Sequence, residues 1–161
     1  MAENKFNVNL PPIEQIGMAV KDVNKMVEFY TACGLGPFRV VEVDIKGFTY
    51  KGKQGDCRLR VGASMGPIVI EMIQVLQGET PHSDFIKEKG EGVHHIGFHV
   101  KDLETTLAEF AKQGITPVFR GGVPNKSEFA YLDTDRYGGL MIEVSQLAPD
   151  FKPGKQASSK N

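Results

Sequence analysis

No apolar run in this chain is long enough to cross a bilayer, so a membrane-spanning helix is not expected. Neither sign of charge is in surplus. The 19 Lys and Arg face 20 Asp and Glu, for a formal net charge of −1. That balance argues against a nucleic-acid footprint or a polybasic membrane surface. Cysteine is scarce: Cys33 and Cys57 are the two thiols, and they form no metal or redox motif. They read as reduced side chains of a cytoplasmic protein. The polar lead over residues 1–7 lacks the profile of a signal peptide.

What is present is enough for a folded core. Of the 161 residues, 40% are hydrophobic and 24% charged, which fits one ordinary domain or two small fused modules. The most informative stretch runs from Glu91 to Val100, Glu-Gly-Val-His-His-Ile-Gly-Phe-His-Val. Its β-formers and flanking glycines predict a strand. Alternation puts His95, Gly97 and His99 on one face and His94, Ile96, Phe98 and Val100 on the other. The second face reads as core, with His94 packed there. The first, two imidazoles around a glycine, suits a cavity and a metal.

The stretch has an earlier copy. At a constant offset of 80, Ile16-Gly17-Met18-Ala19-Val20-Lys21-Asp22 matches Ile96-Gly97-Phe98-His99-Val100-Lys101-Asp102. Asp22 and a helix over Val23, Met26, Val27 and Tyr30 follow, echoed by Leu103, Thr106, Leu107 and Phe110. Gly34 falls on Gly114 and Pro37 on Pro117. So many matches in one register argue for an internal duplication. Each half reads as strand, helix, then three strands. In the first half these are strands over 13–20, 39–46, 57–62 and 68–75. In the second they include 116–119, 128–133 and 140–144. A short helix over 83–89, capped by Ser83, joins the halves. The expected organisation is α+β: a lead over 1–12, a βαβββ module over 13–80, a linker over 81–92, a second module over 93–146 and a mobile tail over 147–161.

Duplication singles out four donors. The inward residues of the first strands are Gln15 and His95. The sole charges of the apolar last strands are Glu71 and Glu143. A carboxylate in an apolar strand is costly to bury without a partner, and a metal ion is one. Either Glu alone would be read as a solvated strand residue, and either His as a hydrogen-bonded structural one. Their duplicated positions carry the metal reading. One nitrogen and three oxygens suit Zn, Co, Mn, Ni or Fe, with water or substrate completing the shell. Arg58 and Arg60 share a face, either solvated or able to capture a carboxylate or phosphate. Gly17, Ala19 and Gly97 leave room for a small substrate head. His82 is assigned no role.

With these residues the chain resembles the vicinal oxygen chelate (glyoxalase/bleomycin resistance/dioxygenase) superfamily over about residues 13–146. The run Gly90-Glu91-Gly92-Val93-His94-His95-Ile96 and the closing Gly139-Leu140-Met141-Ile142-Glu143 look most like methylmalonyl-CoA epimerases. The resemblance implies two βαβββ modules curled as one mixed sheet around a divalent metal held by Gln15, Glu71, His95 and Glu143. It departs in two places. Epimerases carry His where Gln15 stands, whereas a Gln-Glu-His-Glu set is similar to glyoxalase I of the animal type. The second epimerase carboxylate, on the third strand, falls on Arg58.

The function implied is metal-dependent removal of a proton next to a carbonyl, with Glu143 as base and metal ligand in turn. The expected reaction is acyl-CoA epimerisation. The alternatives are glyoxalase I-like isomerisation or a non-catalytic, resistance-type binding protein. Extradiol dioxygenases want two His and one Glu around iron, and Gln15 weighs against them. A small-molecule substrate, a CoA thioester among the candidates, and a homodimer are expected, although the sequence carries no CoA or glutathione motif.

Overall fold

The computed structural model describes residues 8–151. The lead over 1–7 and the part of the expected mobile tail over 152–161 lie outside the described residues. The chain runs β1 (Gln15–Ala19), α1 (Val23–Ala32), β2 (Phe38–Tyr50), β3 (Lys53–Ser64) and β4 (Val69–Gln77). After α2 (Pro81–Lys89) the order returns as β5 (Gly92–His99), α3 (Leu103–Ala111), β6 (Pro117–Val123), β7 (Ser127–Leu132) and β8 (Met141–Leu147).

The strands close in the order β1-β4-β3-β2-β6-β7-β8-β5. β1 runs parallel to β4 and β5 parallel to β8, while the remaining pairs are antiparallel, so the curved sheet is mixed. The first strands of the two halves lie side by side, with Gln15 paired to Gly97 and Gly17 to His95. On the far side the halves join through Thr49 and Tyr50 of β2.

Helices α1 and α3 start for the same local reason. The Asp22 carboxylate accepts the Lys25 backbone N–H, and the Asp102 carboxylate accepts that of Thr105. Each thereby satisfies one of the open donors of a first turn. α1 lays Val23, Met26 and Val27 on Met72, from the outer face of β4. α3 lays Leu103, Leu107 and Phe110 on Ala130, Leu132 and Val144 of β7 and β8. A third cluster, including Ile45, Leu59, Ile73, Phe119, Phe129 and Tyr131, lies inside the sheet. Strands β7 and β8 thus turn one face to α3 and the other to the interior, as period-2 patterning requires.

Two local expectations are corrected. β2 runs on to Tyr50, because Lys51 and Gly52, at φ +50° and +73°, form a two-residue turn that feeds directly into β3. The cap of α2 is Thr80, not Ser83. Thr80 accepts the Ser83 N–H, Pro81 takes the first helical position, and the Ser83 hydroxyl accepts the Thr80 N–H in return.

Candidate metal centre

The register between β1 and β5 slips by one residue. Gly17 faces His95, but the next pair is Met18 with Val93, so His94 has no partner across the ladder. An extra residue of this kind is a β-bulge, and it suspends the alternation of side chains. His94 and His95 consequently lie together, with their Nδ1 atoms 3.0 Å apart. The expectation that His94 packs on the opposite face is therefore wrong. Its neighbours are His82 and Phe85 of α2, His95 and Tyr131.

The four predicted donors come together. Nε2 of Gln15 lies 2.8 Å from Glu71 Oε2, 3.1 Å from Glu143 Oε2 and 3.1 Å from His95 Nε2. His95 Nε2 is 3.1 Å from Glu143 Oε2 and 3.7 Å from Glu71 Oε2. His95 and Glu143 are buried and Glu71 is half-buried. The symmetry of the duplication builds this convergence. Glu71 pairs with Gly17, and Glu143 pairs with Gly97. The two glycines serve the donors rather than a substrate. A Cβ on Gly17 would stand 2.0 Å from His95 Nε2, and one on Gly97 would stand 2.9 Å from the Gln15 Cβ.

Burial tends to lower the pKa of His95. Hydrogen bonds and charge from Glu143 and Glu71 outweigh it and raise the value to about 9. Burial lowers that of His94 to about 3 and that of His82 well below the ordinary range, with repulsion from neighbouring imidazoles adding to it. Burial also raises the Tyr131 phenol well above its usual value, with the charge of Glu143 and Glu71 behind it.

The donor set fits a divalent cation. An amide NH2 has two hydrogens, yet three atoms crowd the Gln15 nitrogen. If His95 Nε2 is bare, one of three acceptors lacks a proton; if it is protonated, two donors face each other. Turning the amide over presents its oxygen beside two carboxylate oxygens and one imidazole nitrogen. A cation at the centre would complete such a set. The Glu71, His95 and Glu143 ligand atoms all lie within 4.8 Å of one another.

The centre opens on a cavity of about 1480 Å³ lined by both halves of the chain. His99 lines it, as the strand pattern allowed. Its Nδ1 lies 2.7 Å from Ser145 Oγ and its Nε2 3.4 Å from Glu14 Oε2. Arg58 does not enter: it pairs with Asp44 across β2, as Arg60 pairs with Glu42. Both are on the solvated face. The residues of β3 that line the cavity are Leu59, Val61, Ala63 and Ser64, none of them a carboxylate. Sequence reasoning missed Tyr131, which sits across the ladder from Glu143 and lines the cavity. Alternation over β7 together with the β7–β8 pairing would have found it. It also missed His82, whose ring meets those of His94, His95 and Tyr131.

Solved structures share this architecture. A variant methylmalonyl-CoA epimerase from Streptomyces coelicolor, bound to 2-nitronate-propionyl-CoA, is similar with a TM-score of 0.66 at 23% identity, over 90% of this chain and 100% of that one. The methylmalonyl-CoA epimerase of Mycobacterium tuberculosis aligns with a TM-score of 0.62 at 20% identity, over 92% and 94% of the two chains. At such identities the likeness establishes the fold. An uncharacterised protein of Bacillus subtilis (strain 168), YqjC, is 25% identical over 87 residues, which are 53% of this chain and 62% of the relative. The match thus spans less than two thirds of that curated relative's length. The family model of the glyoxalase/bleomycin resistance protein/dioxygenase superfamily matches residues 14–131, and with its paired βαβββ halves the chain belongs to that superfamily.

Proposed function

We propose that this chain is a metal-dependent enzyme that takes a proton from a carbon next to a carbonyl, with Glu143 as the base. The observation that carries the reading is the convergence of Gln15, Glu71, His95 and Glu143 at the wall of a large cavity. A divalent cation held there would supply Lewis-acid chemistry beside the carbonyl. The chain's own part is threefold. His95, Glu71 and Gln15 hold the centre, Glu143 exchanges the proton, and the apolar walls over Val69, Ile73 and Phe129 exclude water around it.

Methylmalonyl-CoA, the ligand of a similar epimerase, is the first substrate to try. Epimerisation needs a proton carrier on each face of the enolate. A second reading is favoured by the absence of a carboxylate on the β3 wall, where Leu59 and Val61 stand. With Glu143 acting alone as the base, the same group returns the proton to the neighbouring carbon, as in glyoxalase I-type isomerisation. Solvent deuterium exchange distinguishes these. Exchange at the methylmalonyl carbon supports the epimerase. Turnover of a glutathione hemithioacetal without such exchange supports the isomerase. A metal-loaded protein that exchanges and turns over neither contradicts proton abstraction and favours a binding protein.

A further inference from the structure

Three imidazoles meet behind the centre just described. His82 comes from the first turn of α2, and His94 and His95 from the bulge of β5. Their ring centroids are 4.5 Å (His82 to His94), 5.8 Å (His82 to His95) and 5.3 Å (His94 to His95) apart. All three are buried, at 1%, 2% and 0% exposure. Their ligand nitrogens lie within 4.8 Å of one another. Among the described residues, both nitrogens of His82 and Nε2 of His94 have no hydrogen-bond partner, while Nδ1 of His94 meets Nδ1 of His95. Bare buried polar atoms are rare in folded proteins and point to a missing water or ion. The carboxylates of Glu143 and Glu71 meet His95 at Nε2, whereas its Nδ1 side, toward His94, meets imidazole.

We infer that His82, His94 and His95 form a second cation site, built of nitrogen alone. Three imidazole ligands select a borderline transition ion such as Zn, Cu, Ni or Co over Mg, Ca or Mn. Two nitrogens on one tetrahedral ion, each at about 2.0–2.1 Å, stand about 3.3 Å apart. The 3.0 Å between His94 Nδ1 and His95 Nδ1 suits that arrangement. His82 lines the cavity, which gives the ion a way in.

His95 belongs to both sites. Its Nε2 faces the carboxylates and its Nδ1 faces His94. A neutral imidazole carries one N–H, so an ion on each nitrogen requires that proton to leave for solvent. The inference shares only His95 with the proposed function; His82 and His94 are its own.

The test is metal stoichiometry on the full chain, stripped with a chelator, loaded with excess Zn2+, desalted and analysed by mass spectrometry. Two equivalents are expected for the wild type, one for H82F, one for the double variant E71Q/E143Q, and none for the combination. A wild type holding one equivalent that H82F keeps overturns the inference and leaves the oxygen-rich centre standing. In that case His94 merely orients His95. One equivalent that H82F loses and E71Q/E143Q keeps supports the inference and overturns the other centre. No bound zinc overturns both. Should H82F fail to fold, Cu2+ added to E71Q/E143Q gives a second readout. Nitrogen splitting from three imidazoles in its paramagnetic resonance spectrum is expected, and splitting from one contradicts the site.

Discussion

At Gly17 the lack of one carbon atom decides whether His95 can reach the centre. A methyl group there would sit within 2.0 Å of the imidazole, whose ring cannot yield without leaving the carboxylates. G17A is expected to fold, because Ala tolerates strand dihedrals, yet to lose metal affinity by at least about tenfold, the lower end of what misoriented ligands cost. Isothermal titration with Zn2+ checks this. E143Q tests the base. If Glu143 moves the proton, deuterium exchange into substrate falls by about 10²–10⁴. Glu71 and His95 still hold much of the ion, so metal binding should weaken far less than exchange.

Protonation of His95 couples the site to pH. Its pKa of about 9 in the metal-free protein lies above the unperturbed value of 6.5. A cation at Nε2 must displace that proton, so apparent affinity should fall about tenfold per pH unit below 9 and level off above it. The same shift has a stability sign. Charged His95 contributes stability fully below pH 6.5, and that contribution is lost as pH rises through 9. His94, lowered to about 3, acts oppositely: its contribution is present above pH 6.5 and lost as pH falls toward 3. From these two groups the melting temperature of the metal-free protein should peak near pH 6.5. A scan that rises steadily from pH 6.5 to 9 without metal would contradict the assignment.

Among the elements, the helices test the duplication. Asp22 and Asp102 occupy the same place in the two halves and make the same cap. D22A and D102A should each cost about 1 kcal/mol in urea unfolding, and about the sum together, since the helices pack on different clusters. A loss from one and none from the other would mean that the repeat is not matched in energy.

The elements also show what could be read beforehand. The strand–helix–strand order and the inward Gln15, Glu71, His95 and Glu143 were legible: the offset of 80 carries Gln15 onto His95, and Glu71 and Glu143, 72 residues apart, are the sole charges of their apolar last strands. The neighbourhood of His94 was not, since a bulge breaks period 2 without a local signature. His82 was silent for another reason: helix α2 brings it to the site through tertiary packing alone. Arg58 was placed one residue off. Alternation along β3 turns Cys57, Leu59 and Val61 inward and Arg58 and Arg60 outward.

For the whole molecule, two similar halves meet along β1 and β5, and each lends a first-strand and a last-strand donor to one place. The arrangement gives a rigid wall of strands around the centre and leaves substrate choice to the residues around the cavity, His99, Ser145 and Lys126 among them. An anomalous-difference map from crystals of the protein loaded with Co2+ bears on it most directly. The account predicts a peak about 2.0–2.2 Å from His95 Nε2 and from oxygens of Gln15, Glu71 and Glu143. Cobalt-loaded crystals with no peak among these four side chains, or with one that leaves out both glutamates, would contradict it.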